Sequence, residues 1–351
     1  HPSELHEGST VAELYRSAFK GFAAREALVG GSVRMSYRQL EQACHRMVRC
    51  YASMGLRRQD GIAVLATNRP DAVVAMIAAQ LMGLRYVPLH PLGSEADQAF
   101  VLQDADVAAL VVDVPRHAER GLALSRRGIA RCVLTLGPAE FGIDLLAASA
   151  ALDGGDIEFD VRPDDVLKIA YSGGTTGKSK GIVHHQRTVV TSALQQLAGW
   201  EWPQATRFLA ATPVSHAAGA MLLTTFLQGG SVHLLERYTP EAFLATVEAE
   251  RITATFLVPT QIYGLLDSPA LALHDIASLD LVLYGAAPMA PARLRQALER
   301  FGPVFGQVYG QAEAPMTISY LRRDEHDLDR PHLLGSCGRS LAGNRVKLLD
   351  A

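Results

Sequence analysis

Residues Ser172 to Gly181 read SGGTTGKSKG, directly after the mostly apolar run Val166 to Tyr171. Glycines let backbone N–H groups approach an anion without Cβ interference, hydroxyls donate further hydrogen bonds, and Lys178 and Lys180 supply positive charge. The stretch is therefore composed to hold phosphate. It nearly spells the Walker A pattern G-x-x-x-x-G-K-[ST]. Gly177, Lys178 and Ser179 fit the end of that pattern, but Ser172 stands where its first glycine belongs. A Walker loop also runs straight into a helix, whereas Gly181-Ile182-Val183 read as extended chain. A plain surface linker has the same Gly/Ser/Thr/Lys composition, so the loop must be weighed with its neighbourhood.

The chain has 351 residues, 48% hydrophobic and 20% charged, with a formal net charge of −3. That length carries one large or two medium domains with a substantial core. The charge gives no basic field for nucleic acid or anionic membrane. No apolar run reaches the roughly 18–20 residues that span a bilayer, the nearest being Ala72 to Met82. The first residues lack a signal-peptide pattern, and Cys44, Cys50, Cys132 and Cys337 show no paired spacing. A cytoplasmic setting is expected.

Short apolar strands alternate with helices. Ser36-Tyr37-Arg38-Gln39 is a capping box opening an amphipathic helix to Met54, closed by Gly55. Strands are expected at Ile62–Leu65, Tyr86-Val87, Ala109–Val112 and Val133-Leu134, with helices at Pro70–Met82 and Arg116–Arg127. Further on, strands are expected at Phe208–Ala211, Ser231–Leu235, Thr255–Val258, Leu281–Leu283 and Val304–Val308. Helices are expected at Ala217–Leu227, Pro240–Glu250 and Pro291–Phe301. This order predicts an α/β fold with mostly parallel sheet covered on both faces. The Gly- and Asp-rich tract Leu136–Pro163 reads as a connection, which divides the chain into 1–165, 166–334 and 335–351.

In open α/β sheets ligands bind beyond the carboxyl ends of strands. Four such places carry unusual sequence: the opening loop, Thr212-Pro213-Val214-Ser215-His216, Tyr284-Gly285-Ala286-Ala287-Pro288, and Tyr309-Gly310-Gln311-Ala312-Glu313. Leu81 to Leu89 and Gly335-Ser336-Cys337-Gly338-Arg339 add two further elements. Together, in this order, they resemble the core motifs of the adenylate-forming superfamily of acyl- and aryl-CoA synthetases, luciferases and peptide-synthetase adenylation domains. The loop matches [ST]-G-G-[ST]-T-G-x-x-K-G, with Ser179 where the family usually has proline.

The resemblance implies a layered αβαβα large domain with two mostly parallel sheets and the start of a small β subdomain. A small mobile C-terminal domain, which carries the family's catalytic lysine, is expected to lie outside these residues, so slow adenylation is expected. It implies ATP contacts from Ser172, Gly173, Gly174, Thr175, Thr176, Gly177, Lys178 and Lys180 on the phosphates. Gly285, Ala286, Ala287 and Pro288 would lie along adenine, with Tyr309 stacked on it and Gly310, Gln311 and Ala312 alongside. Glu313, with Thr175, would hold Mg²⁺, a hard ion that prefers oxygen. Ala312 replaces the family's usual threonine, a loss that Thr175 and Thr176 would cover. His216, Glu313 and Lys180 are the candidate catalytic residues.

The acid pocket is expected at His216, Ala218, Gly219, Ala220, Gly285, Gly310, Pro315 and Met316. Amino-acid adenylation domains place an aspartate near this pocket, and Val214 and Ser215 offer none, which favours a non-amino carboxylic acid. Trp200 and Trp202 read as core packing before tunnel gates. The implied reaction is activation of a fatty or aryl acid by ATP to acyl-AMP and pyrophosphate, then transfer to coenzyme A. An acyl-AMP ligase or peptide-synthetase domain serving an acyl carrier protein, or a nucleotide-binding domain without catalysis, remains open at this point.

Overall fold

The computed structural model describes residues 8–171 and 179–349. The chain opens with α1 (Val11–Gly21), β1 (Glu26–Gly30), β2 (Val33–Ser36) and α2 (Tyr37–Ser53). It continues with β3 (Gly61–Leu65), α3 (Pro70–Leu81), β4 (Arg85–Pro88), α4 (Glu95–Asp104), β5 (Val107–Val112), α5 (Val114–Ser125) and β6 (Cys132–Thr135). Next come β7 (Ile143–Asp144), α6 (Leu145–Ala150), β8 (Val166–Tyr171), β9 (Gly181–His185), α7 (Gln186–Gly199) and β10 (Arg207–Ala210). The second half adds α8 (Gly219–Leu227), β11 (Ser231–Leu234), α9 (Pro240–Glu250), β12 (Ala254–Leu257), α10 (Pro259–Asp267) and β13 (Leu281–Tyr284). It closes with α11 (Pro291–Phe301), β14 (Phe305–Gln311), β15 (Ala314–Leu321) and β16 (Arg339–Ser340).

These strands form two sheets, one ordered β7-β6-β5-β3-β4-β8-β9 and the other β16-β15-β14-β13-β12-β10-β11-β1-β2. Interior pairs are parallel, while β8/β9, β14/β15, β15/β16 and β1/β2 at the edges are antiparallel. Alternation of side chains across each strand sorts the core into three clusters. Phe208 and Ala210 of β10 and Ile62 and Val64 of β3 face a shared central cluster with α1, α2, α3, α7 and α8. Leu209 instead joins an outer cluster with α9, α10 and α11, and Ala63 and Leu65 join another beside α4. The result is the expected five layers, αβαβα. α3 sits in the middle layer, which is why it is apolar all round, with Asp71 its one residue that is not buried.

Local signals hold at the element ends. Ser36 caps α2 through a reciprocal capping box with Gln39, and α9 and α11 begin with proline at their first turn. Sheet membership differs from the division at 165/166. β8 pairs with β4, so it belongs with the first-half strands, while β1 pairs in parallel with β11 of the second half. The Gly- and Asp-rich tract marks a surface strap rather than a border. β7 and α6 form inside it, and Arg49 of α2 ties down the carbonyls of Asp153, Gly155 and Asp156. At the far end, β16 extends the nine-stranded sheet by pairing with β15.

The two sheets are joined at their strand ends by Asn68, buried just after β3. Its amide nitrogen donates to the carbonyls of Ala210, Thr212 and Leu235, and its oxygen accepts from Val214 N–H. Replacing it leaves buried backbone groups unpaired, each costing about 1–3 kcal/mol. Asn68→Ala is therefore expected to destabilise the fold by about 2–4 kcal/mol, read as a lower chemical-denaturation midpoint with unchanged slope. An effect below about 0.5 kcal/mol, the range of an ordinary surface change, would contradict this role.

Candidate active site

β8 and β9 bracket the opening loop. Ser172, Gly173, Gly174, Thr175, Thr176, Gly177 and Lys178 lie outside the described residues, but the flanks decide the type of loop. Tyr171 pairs with Gly181 and Ile169 with Val183 in an antiparallel hairpin. A Walker loop leads into a helix; this one leads into a strand, and α7 begins only after His185. Lys180 is exposed immediately before β9.

The turn after β13 is built for close approach. A Cβ on Gly285 would meet the Val308 carbonyl oxygen at 2.3 Å, so only glycine lets the chain leave β13 against β14. Ala286 follows at φ +67°, a left-handed conformation that costs roughly 1–2 kcal/mol for a non-glycine. Ala286, Ala287 and Pro288 are exposed and present a low, flat surface. The β14–β15 hairpin shows a second such place. A Cβ on Gly310 would lie 2.1 Å from Met316 N, Met316 has φ +60°, and the register slips between Tyr309 and Gln311. This irregularity sets the exposed Tyr309 and Gln311 before the Ala312-Glu313 turn.

Glu313 is exposed and has no ion-pair partner among the described residues. A solvent-facing carboxylate of this kind suits Mg²⁺, which keeps several waters and takes one or two protein carboxylates beside phosphates. Among the described residues no group of three His, Cys, Asp or Glu side chains could hold a metal by itself. Thr175, the other expected ligand, is outside them.

His216 sits in the loop between β10 and α8. Its ring meets His90, from the loop after β4, at 4.5 Å between centroids and 70°, and its Nδ1 is 2.8 Å from Ser215 Oγ. The residue has an open edge toward solvent. Its recess nonetheless withdraws the ring from water, and His90 and Lys168 add repulsion, so its pKa falls from 6.5 to about 4. The imidazole is neutral at pH 7. His184 of β9 is also held below the usual value, by burial and then by Lys168, against the opposing pull of the Ala312 carbonyl and Glu313.

Behind His216 lies a cavity of about 90 Å³. Tyr15, Met76, Leu167, Val189 and Leu223 supply apolar walls, with Gly219, Ala220 and Pro315 of the expected pocket residues. Its polar residues are Gln80, Lys168, His184, Ser192 and Gln196. Ala218 is fully buried in the core and does not line it. His216, Gly285, Gly310 and Met316 do not line it either; they stand at the neighbouring turns. Trp200 and Trp202 pack on each other at 5.6 Å, away from the cavity. Sequence reasoning missed the walls from α1, α3 and α7, and it missed Lys168. Burial lowers the Lys168 pKa from 10.5 to about 8, and the residue lines the cavity.

The sequence pattern of the AMP-binding enzyme family matches residues 15–351. The chain is 39% identical, over 99% of its length, to "Medium/long-chain-fatty-acid--CoA ligase FadD8" of Mycobacterium tuberculosis, and spans 61% of that protein. It superposes on the amide bond synthetase McbA of Marinactinospora thermotolerans with a TM-score of 0.86 at 31% identity, covering 95% of this chain and 65% of that one. The N-terminal domain of FACL13 from Mycobacterium tuberculosis shares the fold, with a TM-score of 0.87 at 21% identity over 95% of this chain and 83% of that chain.

The lysine gives a signed pH test. Below about pH 8 Lys168 is protonated in the folded and unfolded chain alike, so the cost of withdrawing its charge from water is present in full. As pH rises from 8 toward 10.5 the folded state releases the proton first and the cost disappears. Lys168→Met is expected to be more stable than the parent by about 1–3 kcal/mol at pH 7, with the gap closing above pH 8 in parallel melts. A pH-independent gap would overturn the assignment.

Proposed function

The chain belongs to the AMP-binding enzyme family, and from that membership we propose that it activates a non-amino carboxylic acid with ATP and Mg²⁺ and passes the acyl group to coenzyme A. The observation that carries this reading is the seam where the strand ends of both sheets meet. A Gly285–Pro288 turn, an exposed Tyr309 and a Glu313 carboxylate with no ion-pair partner among the described residues lie there, near a largely apolar cavity. Apolar walls suit a fatty or aryl acid, in keeping with the acyl-CoA ligase name of the FadD8 relative. Lys168 would repel a substrate ammonium, which disfavours amino acids.

In this reading Gly285, Ala286, Ala287 and Pro288 flank adenine while the Tyr309 ring stacks on it, with Gly310, Gln311 and Ala312 alongside. The loop from Ser172 to Lys178 and Lys180 bind the phosphates. Glu313 holds Mg²⁺, which when bound screens the phosphate oxygens. With Nδ1 accepting from Ser215, neutral His216 donates from Nε2 and orients the acid's carboxylate. One carboxylate oxygen attacks the α-phosphorus, the bond to the β-phosphate oxygen breaks, and pyrophosphate leaves toward Lys180. A thiolate then displaces AMP from the acyl carbon. Positioning and charge neutralisation supply the catalysis, and the cytoplasm, where ATP and coenzyme A are available, is the setting.

Hexanoyl- and feruloyl-sulfamoyl adenosine are the probes. At least one is expected to raise the melting temperature, by a stabilisation that grows as RT ln(1 + [L]/Kd). Tyr309→Ala is expected to weaken that binding about tenfold through lost stacking. Glu313→Gln should weaken Mg²⁺-dependent ATP binding about tenfold while sparing the phosphate-free probes. Stabilisation by ATP with no response to any acyl probe would identify a nucleotide-binding domain that does not activate acids.

A further inference from the structure

We propose that Lys168 is a specificity residue of the acid pocket, selecting acids that carry a second oxygen function beyond the reacting carboxylate. The inference rests on the activation reading above and deepens it by naming the substrate class. Lys168 lies within β8, between the apolar neighbours Leu167 and Ile169, and lines the cavity. Among the described residues its ammonium makes no hydrogen bond and no ion pair, and burial is the one influence acting on its pKa. A charge placed among apolar walls without a partner is costly. By contrast, the half-buried Arg69 meets the fully buried Asp113 at 2.7 Å.

A second observation comes from another lining residue. Gln196 of α7 is buried, lines the same cavity, and its side-chain oxygen Oε1 has no hydrogen-bond partner. The residues around this cavity of about 90 Å³ thus include an unsatisfied donor and, just under the surface, an unsatisfied acceptor. For comparison, an apolar cavity of roughly 150 Å³ stays dry and takes benzene. A plain hydrocarbon tail would fill the space and leave both polar groups unpaired. A tail ending in a hydroxyl or carboxylate accepts from Lys168 Nζ, and a hydroxyl also donates to Gln196. His184 and Tyr86 border the same space and carry no negative charge that would compete for the ammonium.

The test is a binding panel on this chain, with acyl-sulfamoyl adenosines carrying plain four- to eight-carbon chains and their ω-hydroxy and ω-carboxy counterparts. The tightest ligand is expected to bear the second oxygen and to exceed its plain counterpart by about tenfold or more, the worth of a buried charge-assisted hydrogen bond. Lys168→Met should erase that margin, and Lys168→Arg should retain part of it. Plain chains that bind the parent as tightly as every oxygenated counterpart would overturn the proposal and leave the activation reading standing, as would a margin that survives in Lys168→Met. Failure of all acyl probes with the parent chain would instead sink the activation reading, and this inference with it.

Discussion

One buried amide holds the two halves of this molecule in register. Asn68 leaves β3 of the seven-stranded sheet and spends all its polar capacity on the ends of β10 and β11 of the other. Thr212, Val214 and Leu235 carry backbone groups that a parallel sheet leaves unpaired where its strands stop, and buried there they need a partner. Asparagine is suited to the task because it donates twice and accepts through the same small group. The loop bearing His216 is fixed by the same contact, since Val214 N–H is one of its partners, and His90 then meets His216 across the seam.

Along that seam the chain tolerates backbone strain at the exits of β13 and β14 and, among the described residues, an unmet charge in the cavity wall. Ala286 and Met316 are two of five non-glycine residues with positive φ in the described chain, and both stand beside a glycine that admits no side chain. Such outliers persist where surrounding structure overdetermines them and cluster at working sites. At the cavity the cost is electrostatic. Among the described residues Lys168 sits without a counter-ion in a wall that apolar residues could have filled, and it depresses the proton affinity of both His184 and His216.

How much of this was written in the sequence depends on the range of the interaction. The exits from β10, β13 and β14 were legible because glycine, proline and polar residues break an apolar run at one point in the chain. The loop type was legible as well: Gly181-Ile182-Val183 read as extended, and β9 is there. What stayed hidden was set by partners distant in sequence. Glu26–Gly30 looks like any short strand, and only its pairing with β11 assigns it to the second sheet. Of the helices α1, α3 and α7 that help wall the cavity, only α3 was expected from its sequence, and nothing in its apolar run pointed to a cavity. Lys168 did carry a signal, a single charge inside the run VLKIAY, which a search for motifs passes over because it belongs to none.

The placement of β1 and β2 also bears on how the chain must fold. Leu28 pairs with Val232, roughly 200 residues away, and between them the chain supplies all seven strands of the other sheet. During synthesis, the amino-terminal hairpin emerges early with an open edge and an apolar face, Ala27 to Val29, and has no sheet to join until β11 has been made. High contact order of this kind slows folding and prolongs exposure of strand edges. Cutting the chain near residue 165 would accordingly strand pieces of each sheet in the wrong fragment, so the two sheets should assemble as one cooperative unit rather than as separable modules.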